Sequence, residues 1–446
     1  MSRVLVSFLG TSRIEKKEAG YRQYLQANYK FDNGDSYESP FIAVALKRHY
    51  NIDKLILVGT PKSMWEEVYH AFTGEIDDVY AELGDFCENA TKDTPLESLP
   101  HKDKIEKALG NGSKIVLVRY GLNRDEISHN SESVLSIEKL LQSGDELYLD
   151  ITHSFRSLPL LLMNSLLFMK SASVKNIAIR SISYGMLDIT RELGYTPVVE
   201  LNSILDLNDW IAGASEFKTF GNAYKVAALM GRTGCAKDAD VARVLTEFSD
   251  AMNLNYISEI RKKLDEVKRI KFEEISPFAR FLIEPSIKQV VEKFKNTKYE
   301  SQFQLRLAEY QFEQKHYAAA ALCLAEAMVS LVAECAGLIV ISKKDRELSK
   351  AVITGTAPHD MMKKYFAFYR AYLCEKKKVE ESVLGEKANE LQKEYRKAYV
   401  HLTGIRNGVA HTTEKRVDFE EVKCRLYKAM ELVRPIVSFD KRVSDA

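Results

Sequence analysis

The chain of 446 residues is too long for one ordinary hydrophobic core, so two or three domains are expected. Its 64 Lys and Arg stand against 63 Asp and Glu, a formal net charge of +1. That balance excludes a whole-chain positive field that holds long nucleic acid by phosphate neutralisation, and any such contact must be local. Six singly scattered cysteines, Cys87, Cys235, Cys323, Cys335, Cys374 and Cys424, lack the paired spacing of zinc or redox motifs and read as reduced, mostly buried thiols of a cytoplasmic protein.

The N-terminal apolar run 4–9 passes into Gly10, Thr11 and Ser12 and then into charged sequence, so it reads as a strand rather than a cleavable leader. Further β-branched runs at 55–58, 115–118, 146–151 and 177–184 alternate with helical periodicity, the pattern of a parallel sheet with crossover helices. The first four runs are each followed by small or polar residues: Gly10, Thr11 and Ser12; Gly59 and Thr60; Gly121 and Asn123; Thr152, His153 and Ser154. In an open parallel sheet these strand ends share one edge, where ligands bind at the topological switch point. The threonine and serine hydroxyls, the loop N–H groups and the His153 imidazole suit a phosphodiester, and Arg156 adds a cation where the next helix opens. Asp150 is read as a carboxylate that fixes the loop rather than one that meets a ligand.

After 196–199 the strand signals stop, and 205–295 is helical, with residues 231–234 as a turn between helices. Long amphipathic patterns follow at 302–315, 316–336, 358–378, 386–401 and 419–434, so the C-terminal part is expected to be all-α. The expected division is 1–200, 201–298 and 299–446. The small residues of 316–328 let a neighbouring helix approach closely, in a tight bundle or at a dimer seam. No apolar stretch is expected to cross a bilayer, the best candidate being 157–169, so the chain is expected to be soluble and without a membrane partner. The remaining histidines show no ligand spacing and no metal site is expected; Trp65 and Trp210 are assigned to packing.

Arg406, Asn407 and His411 form the sharpest short feature, beside a helix expected to end near Thr403 and Gly404. A permanent cation near a titratable imidazole suits metal-free RNA cleavage, in which the imidazole moves the proton and the guanidinium stabilises the pentacoordinate phosphate. Read alone, an Arg and a His five residues apart are better explained as a surface ion pair and a helix-packing histidine, because on an unbroken helix they point about 140° apart.

Two resemblances change that balance. Glu394, Tyr395 and Arg396, followed by Leu402, Thr403, Gly404, Ile405, Arg406, Asn407, Gly408, Val409, Ala410 and His411, resemble the active-site segment of the HEPN ribonuclease superfamily. That likeness implies Arg406 and His411 as the catalytic pair, Asn407 in support, and a composite site built by two protomers. The first two hundred residues resemble the CARF sensor domains of type III CRISPR ancillary proteins. The likeness rests on Phe8, Leu9, Gly10, Thr11 and Ser12, on Tyr120 to Glu126, and on Asp150, Ile151, Thr152, His153, Ser154, Phe155 and Arg156, with Ser154 where the family usually has glycine.

Together they imply a Rossmann-like α/β (CARF) sensor at 1–200, an all-α connecting module at 201–298 and an all-α HEPN ribonuclease domain at 299–446. The implied protein is a homodimer or larger, activated by a cyclic oligoadenylate, cyclic tetra-adenylate by two-fold symmetry, that cuts single-stranded RNA without metal or other cofactor. Two alternatives stand beside this expectation: a ligand sensor that recruits a partner through an inactive helical domain, and a sensor that also cleaves its own cyclic ligand.

Overall fold

The computed structural model describes residues 1–446 apart from 11–13, 17–21, 25, 111, 154–156, 172, 411–417 and 441–446; for 14–16, 22–24, 171, 406, 409 and 410 it describes the backbone alone. The chain separates into two compact units, Met1–Asp206 and Leu207–Ala446.

In the first unit the strands are β1 (Arg3–Leu9), β2 (Ile14–Lys16), β3 (Arg22–Tyr24), β4 (Ala27–Phe31), β5 (Ser36–Ser39), β6 (Lys54–Gly59), β7 (Lys114–Leu117), β8 (Glu146–Asp150), β9 (Ala178–Gly185) and β10 (Thr196–Glu200). Among them lie α1 (Ile42–His49), α2 (Trp65–Thr73), α3 (Asp78–Asn89), α4 (Lys102–Leu109), α5 (Arg124–Leu135), α6 (Ile137–Leu140), α7 (Ser157–Ser171) and α8 (Thr190–Leu193). Eight strands form one sheet in the order β5-β4-β10-β9-β8-β1-β6-β7, and β2 and β3 pair as a separate small hairpin. From β9 to β7 neighbouring strands are parallel, as expected. The expectation of a parallel sheet needs correction at the other side: β10 runs antiparallel to β9, and β5 antiparallel to β4, so the sheet is mixed.

The central strands are apolar on both faces because helices cover both. Leu5 and Leu9 of β1 and Leu55 and Leu57 of β6 join a core with Leu46, Trp65, Val68, Tyr80 and Ile105 from α1 to α4. Their alternates, Val4, Val6, Phe8, Ile56 and Val58, join a second core with Val134, Ile137, Leu158, Leu162 and Leu166 from α5 to α7. The period of two thus divides one strand between two cores, giving a three-layer Rossmann-like unit.

Helix α9 (Ser203–Phe220) carries the chain into the second unit, which is all-helical: α10 (Tyr224–Met230), α11 (Ala236–Leu254), α12 (Ile257–Lys268), α13 (Pro277–Lys293), α14 (Glu300–Glu313), α15 (Tyr317–Ala336), α16 (Lys343–Thr354), α17 (His359–Lys377), α18 (Glu381–Ala410) and α19 (Phe419–Val437). One apolar core runs through it from Trp210 to Phe439. Helix α15 lies at its centre, packing against α14, α16, α17, α18 and α19, so its alanines serve the interior of the bundle.

By length and composition α15 is also long and apolar enough to cross a membrane, which corrects the reading of 157–169 as the best candidate. The apolar stretch is 72% buried inside the unit, and its acidic residues are paired. Glu334 accepts hydrogen bonds from the Ser301 N–H at 2.8 Å and the Ser301 hydroxyl at 2.5 Å, and Glu326 pairs with Arg346.

Candidate functional site

Because β1, β6, β7 and β8 are parallel neighbours, their C-terminal ends open on one edge, and the loops there enclose a cleft of about 380 Å³. Leu9 and Gly10 line it after β1, Gly59, Thr60, Lys62 and Ser63 after β6, Tyr120 after β7, Thr152 and His153 after β8, and Leu158 from α7. Five of the residues singled out in the sequence therefore meet in one place: Gly10, Gly59, Thr60, Thr152 and His153. Thr11, Ser12, Ser154 and Arg156 lie outside the described residues. Gly121 and Asn123 are not among the lining residues; they belong to a helix cap. The Asn123 side chain accepts from the Glu126 N–H at 2.9 Å, and the Glu126 carboxylate accepts from the N–H groups of Gly121 and Leu122 at 2.8 and 3.0 Å.

The cleft floor is fixed by side chains that tie one strand end to the next. Ser63 donates its hydroxyl to the Leu9 carbonyl at 2.7 Å and accepts from the Thr60 N–H at 3.0 Å, joining β1 to the turn after β6. The Trp65 indole donates to the Thr60 carbonyl at 2.9 Å, so Trp65 both packs and anchors this turn. Glycine is required at 59 because a Cβ there would meet the Trp65 ring at 2.8 Å and the Ser63 hydroxyl at 2.9 Å.

On the other side, buried Asp150 accepts from the Ser7 hydroxyl at 2.6 Å and the Thr152 N–H at 2.9 Å, and the Thr152 side chain adds a third bond. Thr152 Oγ1 in turn accepts from the Gly185 N–H at 2.8 Å, linking β8 to β9. The Asp150 carboxylate therefore shapes the loop, as its sequence position implies. Thr152 does the same work with its hydroxyl while its body lines the cleft.

Desolvation raises the Asp150 carboxyl to about 6 despite those hydrogen bonds. Burial pushes the His153 imidazole down to about 4, so at neutral pH His153 is an uncharged donor and acceptor rather than a cation. Lys62 is the lysine or arginine that lines the cleft among the described residues. Neither Lys62 nor Ser63 was singled out in the sequence, although Gly59, Thr60, Pro61, Lys62 and Ser63 together read as a tight turn carrying a cation and a hydroxyl.

In the helical unit, α18 continues through Thr403 and Gly404 to Ala410, beyond the expected stop. Tyr395, Ala398, Tyr399 and Leu402 are buried, Ile405 packs on the same core, and the Tyr395 hydroxyl donates to the Met328 carbonyl at 3.2 Å. This three-and-four spacing holds the helix against α15 across the glycine. Arg406 and Asn407 follow on the last turns, with Asn407 exposed; His411 lies outside the described residues. On the same helix His401 is held below its ordinary value, first by burial and then by the cations of Arg425 and Lys397, with Glu421 opposing. No group of three or more His, Cys, Asp or Glu suited to a metal ion occurs among the described residues.

Residues 4–188 match the family described as the CARF domain of CRISPR system endoribonuclease Csx1, and residues 206–301 match the second domain of CRISPR-associated protein MJ1674. CRISPR-associated protein MJ1674 of Methanocaldococcus jannaschii is 35% identical over 386 residues, which cover 82% of this chain and 59% of that protein. The chain thus spans less than two thirds of the length of the curated relative it matches. A solved structure of Enterococcus italicus Csm6 bound to cyclic hexa-2′-fluoro-hexa-dAMP aligns over 98% of this chain and 94% of that one, at 13% identity and a TM-score of 0.36. With the first unit matching along nearly its whole length and the following helices matching the domain that accompanies it, the chain is a CARF-containing ancillary protein of type III CRISPR systems.

Proposed function

We propose that the chain is a cyclic oligoadenylate-activated, metal-independent endoribonuclease that cuts single-stranded RNA in the cytoplasm as a homodimer. The observation that carries the sensor half is the convergence of four strand-end loops on one cleft lined by Lys62, Tyr120 and an uncharged His153. A cyclic oligoadenylate presents phosphodiesters, riboses and base faces. A cation, loop N–H groups, a neutral imidazole and an aromatic ring match these in turn. Cyclic tetra-adenylate is the activator suited to two such clefts related by a two-fold axis.

The nuclease half rests on Arg406 and Asn407 at the end of α18, with His411 four residues beyond Asn407. In this reading the His411 imidazole removes the proton of the 2′-hydroxyl as its oxygen attacks phosphorus. The Arg406 guanidinium stabilises the charge gathering on the phosphoryl oxygens, and an imidazolium returns a proton to the departing 5′-oxygen. The bond formed is O2′–P and the bond broken is P–O5′, so the products are a 2′,3′-cyclic phosphate and a 5′-hydroxyl. One imidazole per protomer supplies both an acid and a base when two copies share a site.

The test is His411→Ala. It is expected to retain cyclic tetra-adenylate binding and to lose RNA cleavage by at least a hundredfold, the scale of a missing general acid–base. Undiminished cleavage would remove His411 from the mechanism. Ligand binding without cleavage in the wild type would favour a recruiting role for the helical unit.

A further inference from the structure

The turn that follows β6 carries more than shape. Lys62 stands between Pro61 and Ser63, two buried residues, and is itself half-buried, so its stem is held by the turn rather than waving in solvent. Its ammonium donates to the Ala90 carbonyl at 3.3 Å, at the end of α3, which fixes where the charge sits. An ammonium has three N–H donors, so this bond leaves two for another acceptor. The turn around it is locked on both sides: Ser63 ties it to the end of β1, and the Trp65 indole ties the Thr60 carbonyl to α2.

The electrostatics of the cleft make that position consequential. A phosphodiester ligand brings a full negative charge for every nucleotide, and His153, which lines the same cleft, is uncharged at neutral pH. The Asp150 carboxyl near it in sequence is at best neutral, and its buried oxygens accept from Ser7 and Thr152, so it brings no positive charge to the ligand. A fixed cation in the lining is the complement such a ligand needs, and its preset position spares most of the entropy a free lysine would lose on binding.

Resting on the reading of this cleft as a cyclic oligoadenylate site, we infer that Lys62 is its phosphate anchor: the ammonium, held by the Ala90 carbonyl, grips a phosphodiester of the bound ring. The lysine acts on ligand affinity and lies in a different unit from Arg406 and His411, so it takes no part in the cleavage step.

The experiment is calorimetric titration of the full chain with cyclic tetra-adenylate and, separately, cyclic hexa-adenylate, for wild type, Lys62→Gln and Lys62→Arg, each at three salt concentrations. Lys62→Gln is expected to weaken binding at least tenfold and to lower the slope of log affinity against log salt by about one, the signature of one lost phosphate contact. Lys62→Arg is expected to keep the wild-type salt slope. In an RNA cleavage assay Lys62→Gln should need more activator yet reach the wild-type rate at saturation. Wild type that binds, with Lys62→Gln binding as tightly and with the same salt slope, would overturn the anchor role alone. Wild type that binds neither ring would overturn the ligand reading and the anchor together. Matching melting temperatures among the three chains separate a lost contact from lost folding.

Discussion

Asp150 shows how one side chain prepares a site without meeting its ligand. Its carboxyl is fully buried and raised from an ordinary 3.8 to about 6, so the folded protein holds that proton more tightly than the unfolded chain does. A folded-state value above the unfolded one gives stability that is complete below about 3.8 and is lost as pH rises through about 6. Asp150→Asn has no such titration. Relative to wild type it is therefore expected to gain stability between pH 4 and pH 7, by roughly 3 kcal/mol at full effect. His153 titrates in the opposite sense, its depressed value costing stability as pH falls from 6.5 towards about 4, but it does so in both proteins and cancels in the comparison. Urea unfolding of both proteins at pH 4 and pH 7 checks this, and parallel profiles would contradict it. Asp150 was legible in the sequence because an acid closing a strand before Thr and His has a capping role open to it. Lys62 was not, because a lysine three residues past a strand end has the pattern of an ordinary surface cation, and the Ser63 and Trp65 contacts that hold the turn join residues the sequence pattern does not pair.

At the scale of elements, the legible parts were those with a strong period. The five parallel strands carry β-branched or apolar runs bounded by turns, and the central β1 and β6 are apolar on both faces. The departures came where a local signal competed with packing. Gly404 reads as a helix stop, yet α18 continues past it because Leu402 and Ile405 keep the apolar period against the core, and that burial exceeds the roughly 1 kcal/mol a helical glycine costs. Helix α16 was missed although Ser342 caps it, accepting from the Asp345 N–H at 3.4 Å, a serine-to-acid spacing visible in the sequence. The β4–β5 hairpin and the antiparallel pairing of β10 depend on which strands meet, and short alternating runs do not encode that. Helix α15 gives the sharpest test of packing. Ala327 is wholly buried at the centre of the bundle, so Ala327→Leu is expected to lower the unfolding free energy by about 1–3 kcal/mol through overpacking. Thermal unfolding measures it; an unchanged melting temperature would mean that α15 has room its alanines do not fill.

Across the whole molecule, the proposed function places ligand sensing in one unit and RNA cleavage in the other, and so requires a coupling free energy between them. A ligand shifts such an equilibrium only by its difference in affinity for two arrangements, so the activator must bind the cleaving arrangement more tightly than the resting one, and cleavage must rise with occupancy. The direct test is the rate of fluorescent single-stranded RNA cleavage in EDTA as cyclic tetra-adenylate is titrated. The account predicts negligible cleavage without the ring, a rise that saturates with ligand occupancy, and products ending in 2′,3′-cyclic phosphate. Cleavage that is already maximal without ligand, or that depends on a divalent metal, would contradict it.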